Sequence, residues 1–315
     1  MTKRAEKRLR RREQELKRKS GSEEVQASKG FAKYYDQYYK LALILPICLL
    51  VFAIGQIAYQ TSTTGDFLIK DITLKGGIAI TVPSTEPIDT DTLRTALTNE
   101  GYIVSVRNLH SGGRNIAYLV EVDMDLLDRD GVDEFVEVLR NYAHVGTDYS
   151  LEGTGAAIGD AFFKQTIMAL FFSFIVMALI VAITFRSFVP SITIILASIS
   201  DILVTLAIVN ILGMPLSTAG LAAFLMLIGY SVDTNILLTN RMMKNPDMTV
   251  HQRLISAFKT GIFMSATTFV VIFIALVFTS SEVIRQIMTV LLIGIFMDQI
   301  NTWIQNAGIL RWCLK

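Results

Sequence analysis

Cysteine and histidine are scarce in this chain. Its 315 residues hold two cysteines, Cys48 and Cys313, and three histidines. A zinc site built in the usual way from Cys and His has too few ligands here. His110 and His144 stand isolated, which argues against a metal between 61 and 160. That stretch contains no cysteine, so it is not a disulfide scaffold and has to hold its own core. No G-x-x-x-x-G-K-[ST] loop occurs, so no nucleotide binding and no cofactor are expected. No A-x-A site follows the first apolar run, which itself comes after 40 polar residues, so that run does not read as a cleavable signal. An intramembrane aspartyl protease would need Gly-x-Gly-Asp. Asp233 is instead preceded by Tyr230-Ser231-Val232, and Ala157 stands where the first glycine before Gly159-Asp160 would be. The expectation is a protein that is not an enzyme.

What is present is apolar length. The chain is 52% hydrophobic, and its mean hydropathy is +0.47. A helix crosses a bilayer with about 20 apolar residues. Six runs reach that length: 41–60, 165–185, 191–212, 218–238, 262–280 and 286–307. One mixed block, 61–160, remains between the first and second. The predicted organisation is a basic cytoplasmic tail (1–40), transmembrane helix 1 (41–60), an extracytoplasmic domain (61–160), transmembrane helices 2–6 (161–310) and a short cytoplasmic end (311–315).

Charge sets the orientation. Residues 1–40 carry 13 Lys and Arg against 6 Asp and Glu. Positive charge favours the cytoplasmic side. Alternation of spans then puts Arg241, Lys244, Arg253 and Lys259 in or beside an inner loop, and Arg311 and Lys315 inside. The outer loop Leu212-Gly213-Met214-Pro215 has no Lys or Arg. The tail reads either as a topology signal attracted to anionic membrane lipids or as a contact for ribosomal RNA or another acidic partner.

The 61–160 block alternates element types. Gly77–Val82, Tyr102–Val106 and Ile116–Val122 are β-branched and apolar, hence strands, with a turn at Ser111-Gly112-Gly113. Asp89 opens a helix that runs to Leu97, and Asp130–Tyr142 is an amphipathic helix. Tyr149-Ser150-Leu151 supplies a last short strand. The order β-α-β-β-α-β predicts an α+β, ferredoxin-like sandwich. Pro46 is expected to kink the first span.

Three carboxylates fall inside the apolar runs: Asp201, Asp233 and Asp298. Each costs roughly 2.5–3.5 kcal/mol at mid-membrane on the gentlest scale, so an intramembrane acid is a functional hypothesis. At 1.5 Å per residue Asp201 lies roughly 15 Å from the inner end of its span, and the other two fall at or below the midplane. Small and polar neighbours accompany them: Ser198 and Thr205 near Asp201, Gly229 four residues before Asp233, and Asn301, Thr302 and Gln305 after Asp298. Ser265, Thr267 and Thr268 add to a polar seam, with Lys259 near the inner mouth of the fifth span. Either the acids relay a proton or ion, or they are neutral hydrogen-bonded groups that fix helix register.

The constellation resembles the SecF family, the smaller partners of the SecD–SecF pair attached to the Sec protein-export channel, within the RND superfamily. The resemblance covers nearly the whole chain. It is carried by Ile228-Gly229-Tyr230-Ser231-Val232-Asp233-Thr234-Asn235 in the fourth span, by Asp71-Ile72-Thr73-Leu74-Lys75-Gly76-Gly77 leading into the outer block, and by the third-span Asp201. It implies Gly229, Ser231, Thr234, Asn235, Asp71, Gly76 and Gly77 as motif and packing positions. It implies a SecD-like subunit, the translocon channel and exported polypeptides as partners; in bacterial members proton flow drives export. Bacterial members have His before the third-span acid, where this chain has Ser200. They have Ser-Arg-Thr in the fifth span, where Phe258-Lys259-Thr260 is the nearest match. These departures and the basic tail resemble archaeal forms. The expected site is therefore Asp233 with Asp201, aided by Asp298 and Lys259. The alternative is an RND-type small-molecule or lipid transporter, which would act as a homodimer.

Overall fold

The computed structural model describes residues 41–111, 114–124, 129–143, 145–146, 148–244 and 249–313. The basic tail 1–40, the Gly112-Gly113 turn, His144 and Lys315 lie outside the described residues. The first long helix is α1 (Ile44–Thr64), which ends on Gly65 in the left-handed region. Pro46 falls in its first turn, after a turn at Leu43, where no intrahelical bond is lost. The helix breaks at Leu43, three residues ahead of Pro46, at the start of the span.

A short helix, α2 (Ile72–Lys75), leads into the mixed block. Then come β1 (Gly77–Pro83), α3 (Thr90–Asn99), β2 (Val104–Ser111), β3 (Arg114–Val122), α4 (Arg129–Tyr142) and β4 (Ser150–Thr154). Asp89 starts α3 by accepting from the Asp91 and Thr92 amides, as an N-cap carboxylate does. The sheet order is β2-β3-β1-β4, every pair antiparallel. With the two helices this is the ferredoxin-like sandwich that the element order predicts.

The two faces of the sheet differ. Ile78, Ile80, Val120 and Val122 point to α3 and α4, where Leu97, Phe135 and Leu139 complete the core. Burying each such side chain stabilises by about 1.5–3 kcal/mol. The opposite face carries Ala79, Leu109, Ala117 and Leu119, which pack with Ile72 of α2. That face looks towards the helix bundle.

The bundle continues with α5 (Ala156–Phe185), α6 (Phe188–Ile211), α7 (Thr218–Lys244), α8 (Val250–Phe278) and α9 (Glu282–Ile300). A π-helical stretch, Asn301–Asn306, and α10 (Ala307–Cys313) extend α9 into one last span. Six helices are thus long and apolar enough to cross a membrane. The second and fifth spans begin well before the predicted 165 and 262, because the apolar register is preceded by helix-compatible polar turns and, for α8, by a capping box at Thr249 and Gln252. Helices α6 and α7 are the most buried, while α1, α5 and α8 leave most of their surface uncovered. Leu227 of α7 sits against Gly294 of α9, and Leu221, Phe224, Val290 and Leu291 fill the same layer. The chain is a multi-pass membrane protein.

Candidate functional site

The centre of the bundle is polar. Helix α6 contributes Asp201, fully buried, and α9 contributes Asp298, 2% exposed. The two carboxyls are close enough to interact side chain to side chain. Helix α7 inserts Ser231, Thr234 and Asn235, which share one helix face because they are spaced by three and four residues.

Their bonds form one connected net. Ser231 Oγ donates to Asp201 Oδ2 at 2.5 Å and lies 3.2 Å from Ser198 Oγ. Asn301 Nδ2 donates to Asp201 Oδ1 at 2.7 Å. Thr234 Oγ1 sits 3.0 and 2.9 Å from the two oxygens of Asp298, and Thr302 Oγ1 donates to Oδ1 at 2.9 Å. Gln299 Nε2 reaches Asp298 Oδ2 at 3.2 Å and Ser265 Oγ at 2.8 Å. Asn306 Nδ2 donates to Asn235 Oδ1 at 2.6 Å. Among the described residues the hydrogen bonds to both acids come from hydroxyls and amides.

The π-helical stretch makes this possible. Its wider turn places Asn301, Thr302, Gln305 and Asn306 together in the buried interior. Such stretches cluster at functional sites. Trp303 anchors it from the other side: its indole Nε1 donates to Gln299 Oε1 at 3.0 Å, and its ring packs edge-on to Phe258 and against Gly261 of α8.

Asp233 lies elsewhere. Two residues on from Ser231 it points away from that face and is exposed within the isolated chain. It lines a cavity of about 150 Å³ with Tyr230, Thr234, Met264, Ser265, Thr268 and Asp298. Asp201 is therefore paired with Asp298 and not with Asp233, although Thr234 and Asp298 link the cavity to the pair. Gly229 also faces outward, with open space where a Cβ would stand, so it brings no helix of this chain closer. Lys259 occupies the exposed side of α8. Ser200 is buried and donates to Leu196 O on its own helix.

Asp71, Gly76 and Gly77 belong to a second place, where the sheet domain meets the bundle. Asp71 Oδ1 accepts from the Ile72 amide at 2.5 Å and so caps α2. Gly76 and Gly77 have φ of +85° and +125°, and a Cβ on Gly76 would stand 2.5 Å from Ala156 Cα at the start of α5. The linker is tied to the α6–α7 loop: Asp71 N donates to Leu216 O at 2.9 Å, and Leu216 N to Ile69 O at 2.7 Å. Gln286 of α9 holds the same loop, through Pro215 O at 2.6 Å and the Ser217 hydroxyl.

The sequence reading passed over Glu121. It is 4% exposed, and Arg107 donates to it at 2.8 Å. Its signal was available: in Ala117-x-Leu119-x-Glu121 the period of two sets a carboxylate on an apolar sheet face.

The family model described as protein export membrane protein SecD/SecF, C-terminal, matches residues 135–315. The protein-export membrane protein SecF of Methanolacinia petrolearia is 35% identical over 279 residues, covering 88% of this chain and 94% of the relative. That of Pyrococcus furiosus is 35% identical over 274 residues, covering 86% and 90%. That of Methanocaldococcus jannaschii is 34% identical over 283 residues, covering 87% and 95%. Among solved structures, SecDF from Thermus thermophilus, a translocon-associated membrane protein, superposes with a TM-score of 0.73 at 21% identity. The overlap covers 89% of this chain and 38% of that one, and shows a shared fold.

Proposed function

The chain belongs to the SecD/SecF family of protein-export membrane proteins, and from that premise we propose that it is an accessory subunit of the Sec translocation machinery. It acts with a SecD-like subunit beside the translocon channel to promote the export of polypeptides across the cytoplasmic membrane. The RND-type transporter alternative is not favoured by relatives that cover nearly the whole chain. The Lys and Arg excess at the N-terminus supports cytoplasmic termini and an extracytoplasmic domain over 61–160.

The observation that carries a coupled mechanism is the Asp201–Asp298 pair. Two carboxyls in contact inside an apolar bundle cannot both hold a full charge. Neutral donors surround them and fix their geometry, so a proton is the simplest charge they exchange. Asp233 takes protons from the cavity it lines, and Thr234, Ser265 and Thr268 around that cavity pass them to Asp298. Occupancy of the pair then changes the packing of α6, α7 and α9, on whose outer ends the sheet domain rests.

The test is proton flux through the purified complex in liposomes, with each of Asp201→Asn, Asp298→Asn and Asp233→Asn. Asn keeps the shape and removes the titrating group. Flux should fall at least tenfold in the two buried variants and less in the third, with assembly intact. Undiminished flux and export in both buried variants would sink the coupling role and leave the acids as register-fixing groups.

A further inference from the structure

Glu121 reaches out of the sheet towards the bundle, and the place it reaches is Asp71, the first residue of the Asp…Gly-Gly motif. The two carboxyls line one cavity and are near enough to interact, and two buried acids so placed are most stable with one proton between them. Arg107 of β2 closes the group at 2.8 Å from Glu121. With one shared proton the three side chains sum to zero charge. A cavity of about 430 Å³ adjoins them, walled by the sheet on one side and by the outer ends of α7 and α9 on the other.

The surrounding charges can be named element by element. Lys75 lies on α2 and acts on Glu121. Glu152 of β4 and Glu282 of α9 line the cavity. Glu282 lies 3.8 Å from Arg107 and 3.9 Å from Arg285, both loose contacts.

The backbone beside this group is built to turn. The chain enters the sheet through Gly76-Gly77 and leaves it through Thr154-Gly155, and Gly77 is the register partner of Thr154. Both crossings therefore lie side by side, at one edge of the contact. Asp71 and Glu121 lie next to those crossings, and Arg107 and Glu282 face each other across the same cavity.

We infer that Asp71 and Glu121 form a proton-held latch that keeps the open face of the outer sheet down on the helix bundle. Loss of the shared proton leaves an uncompensated buried charge, whose relief is to swing the sheet away and admit water. This does not depend on whether the membrane pair conducts protons.

The sign follows from the carboxyl itself. Burial first, then the bond to Asp71, pushes Glu121 up to about 8, against the pull of Arg107. In the open form water surrounds it, and it returns towards the ordinary carboxylate value near 4.5. Closure is therefore strongest below about 4.5 and weakens as pH rises towards about 8.

The test is a distance measurement by double electron–electron resonance on the full chain in liposomes. Spin labels go on Asn99, exposed at the end of α3, and Leu212, exposed at the outer tip of the bundle, with Cys48 and Cys313 replaced by Ser. A longer distance should gain population as pH rises from 5 to 9. Glu121→Gln, which mimics the protonated group, should hold the short distance throughout. Asp71→Asn, which keeps the α2 cap and removes the neighbouring charge, leaves Arg107 to neutralise the ionised Glu121 and should flatten the pH response. A distance independent of pH in the parent, or the parent's pH response retained in either variant, overturns the latch.

Discussion

At the scale of the residue, four positions carry most of the meaning: two buried acids, an outward acid and a glycine at positive φ. Asp201 and Asp298 survive in an apolar bundle because each has its lone pairs satisfied by hydroxyl or amide donors. An unpaired carboxylate there would cost several kcal/mol. The three intramembrane acids were visible in the sequence, but their grouping was not. Grouping depends on how far each helix is rotated about its axis, and one residue of error turns a side chain by about 100°. The stripe Ser231, Thr234, Asn235 held the missing information, since its spacing marks the inward face and Asp233 is off it. Gly76 gives a residue-scale prediction. A Cβ there would meet backbone at Ala156, and the backbone is in the left-handed region. Gly76→Ala should destabilise the protein by roughly 2 kcal/mol or more. Gly101→Ala, with φ of +96° and open space around it, should cost only the backbone strain, about 1 kcal/mol. Denaturant titration of the two purified variants measures the difference.

At the scale of the element, the membrane spans and the sandwich were largely legible, because both rest on periodicities that the side chains write into the chain. Apolar runs mark a helix in lipid, and a short β-branched apolar run marks the strand over Ile116–Val122. The π-helical stretch Asn301–Asn306 was not legible. Its i→i+5 bonds are intrinsically poorer than those of an α-helix, and what stabilises them is tertiary: Asn301 on Asp201, Asn306 on Asn235 and Trp303 on Phe258. No local pattern announces partners that lie 100 and 71 residues away. A π stretch amounts to one extra residue in an α-helix. Deleting Ile304, a half-buried member of it, should restore α-helical bonding while pulling the polar cluster out of register. The expected outcome is unchanged helix content by circular dichroism together with a loss of proton flux resembling that of Asp201→Asn. Retained flux would separate the stretch from the function of the pair.

At the scale of the whole molecule, orientation decides which compartment the sheet domain and its latch sample. Ile103 projects from the domain and is 76% exposed, while the native Cys313 is exposed at the opposite end of the chain's path through the bundle. An Ile103→Cys protein should react with a membrane-impermeant maleimide in intact cells, and Cys313 only after the cells are opened. The reverse pattern would invert the topology and the direction of any proton movement.

The side-by-side crossing at Gly77 and Thr154 has one more consequence. A unit whose two ends are hydrogen-bonded neighbours is a cassette: it can be lifted out of its host, and a short peptide can rejoin the cut without strain across the gap. The bundle would then keep its helices and its carboxylate pair, with bare loops where the domain had stood. The freed unit would show the world Ala79, Leu109 and Leu119, an apolar floor that in the closed protein is buried. Such a surface invites a second copy or an unfolded chain. The same glycines that let the domain swing thus also let genes trade it, and they make its underside the part that a newly inserted version has to fit.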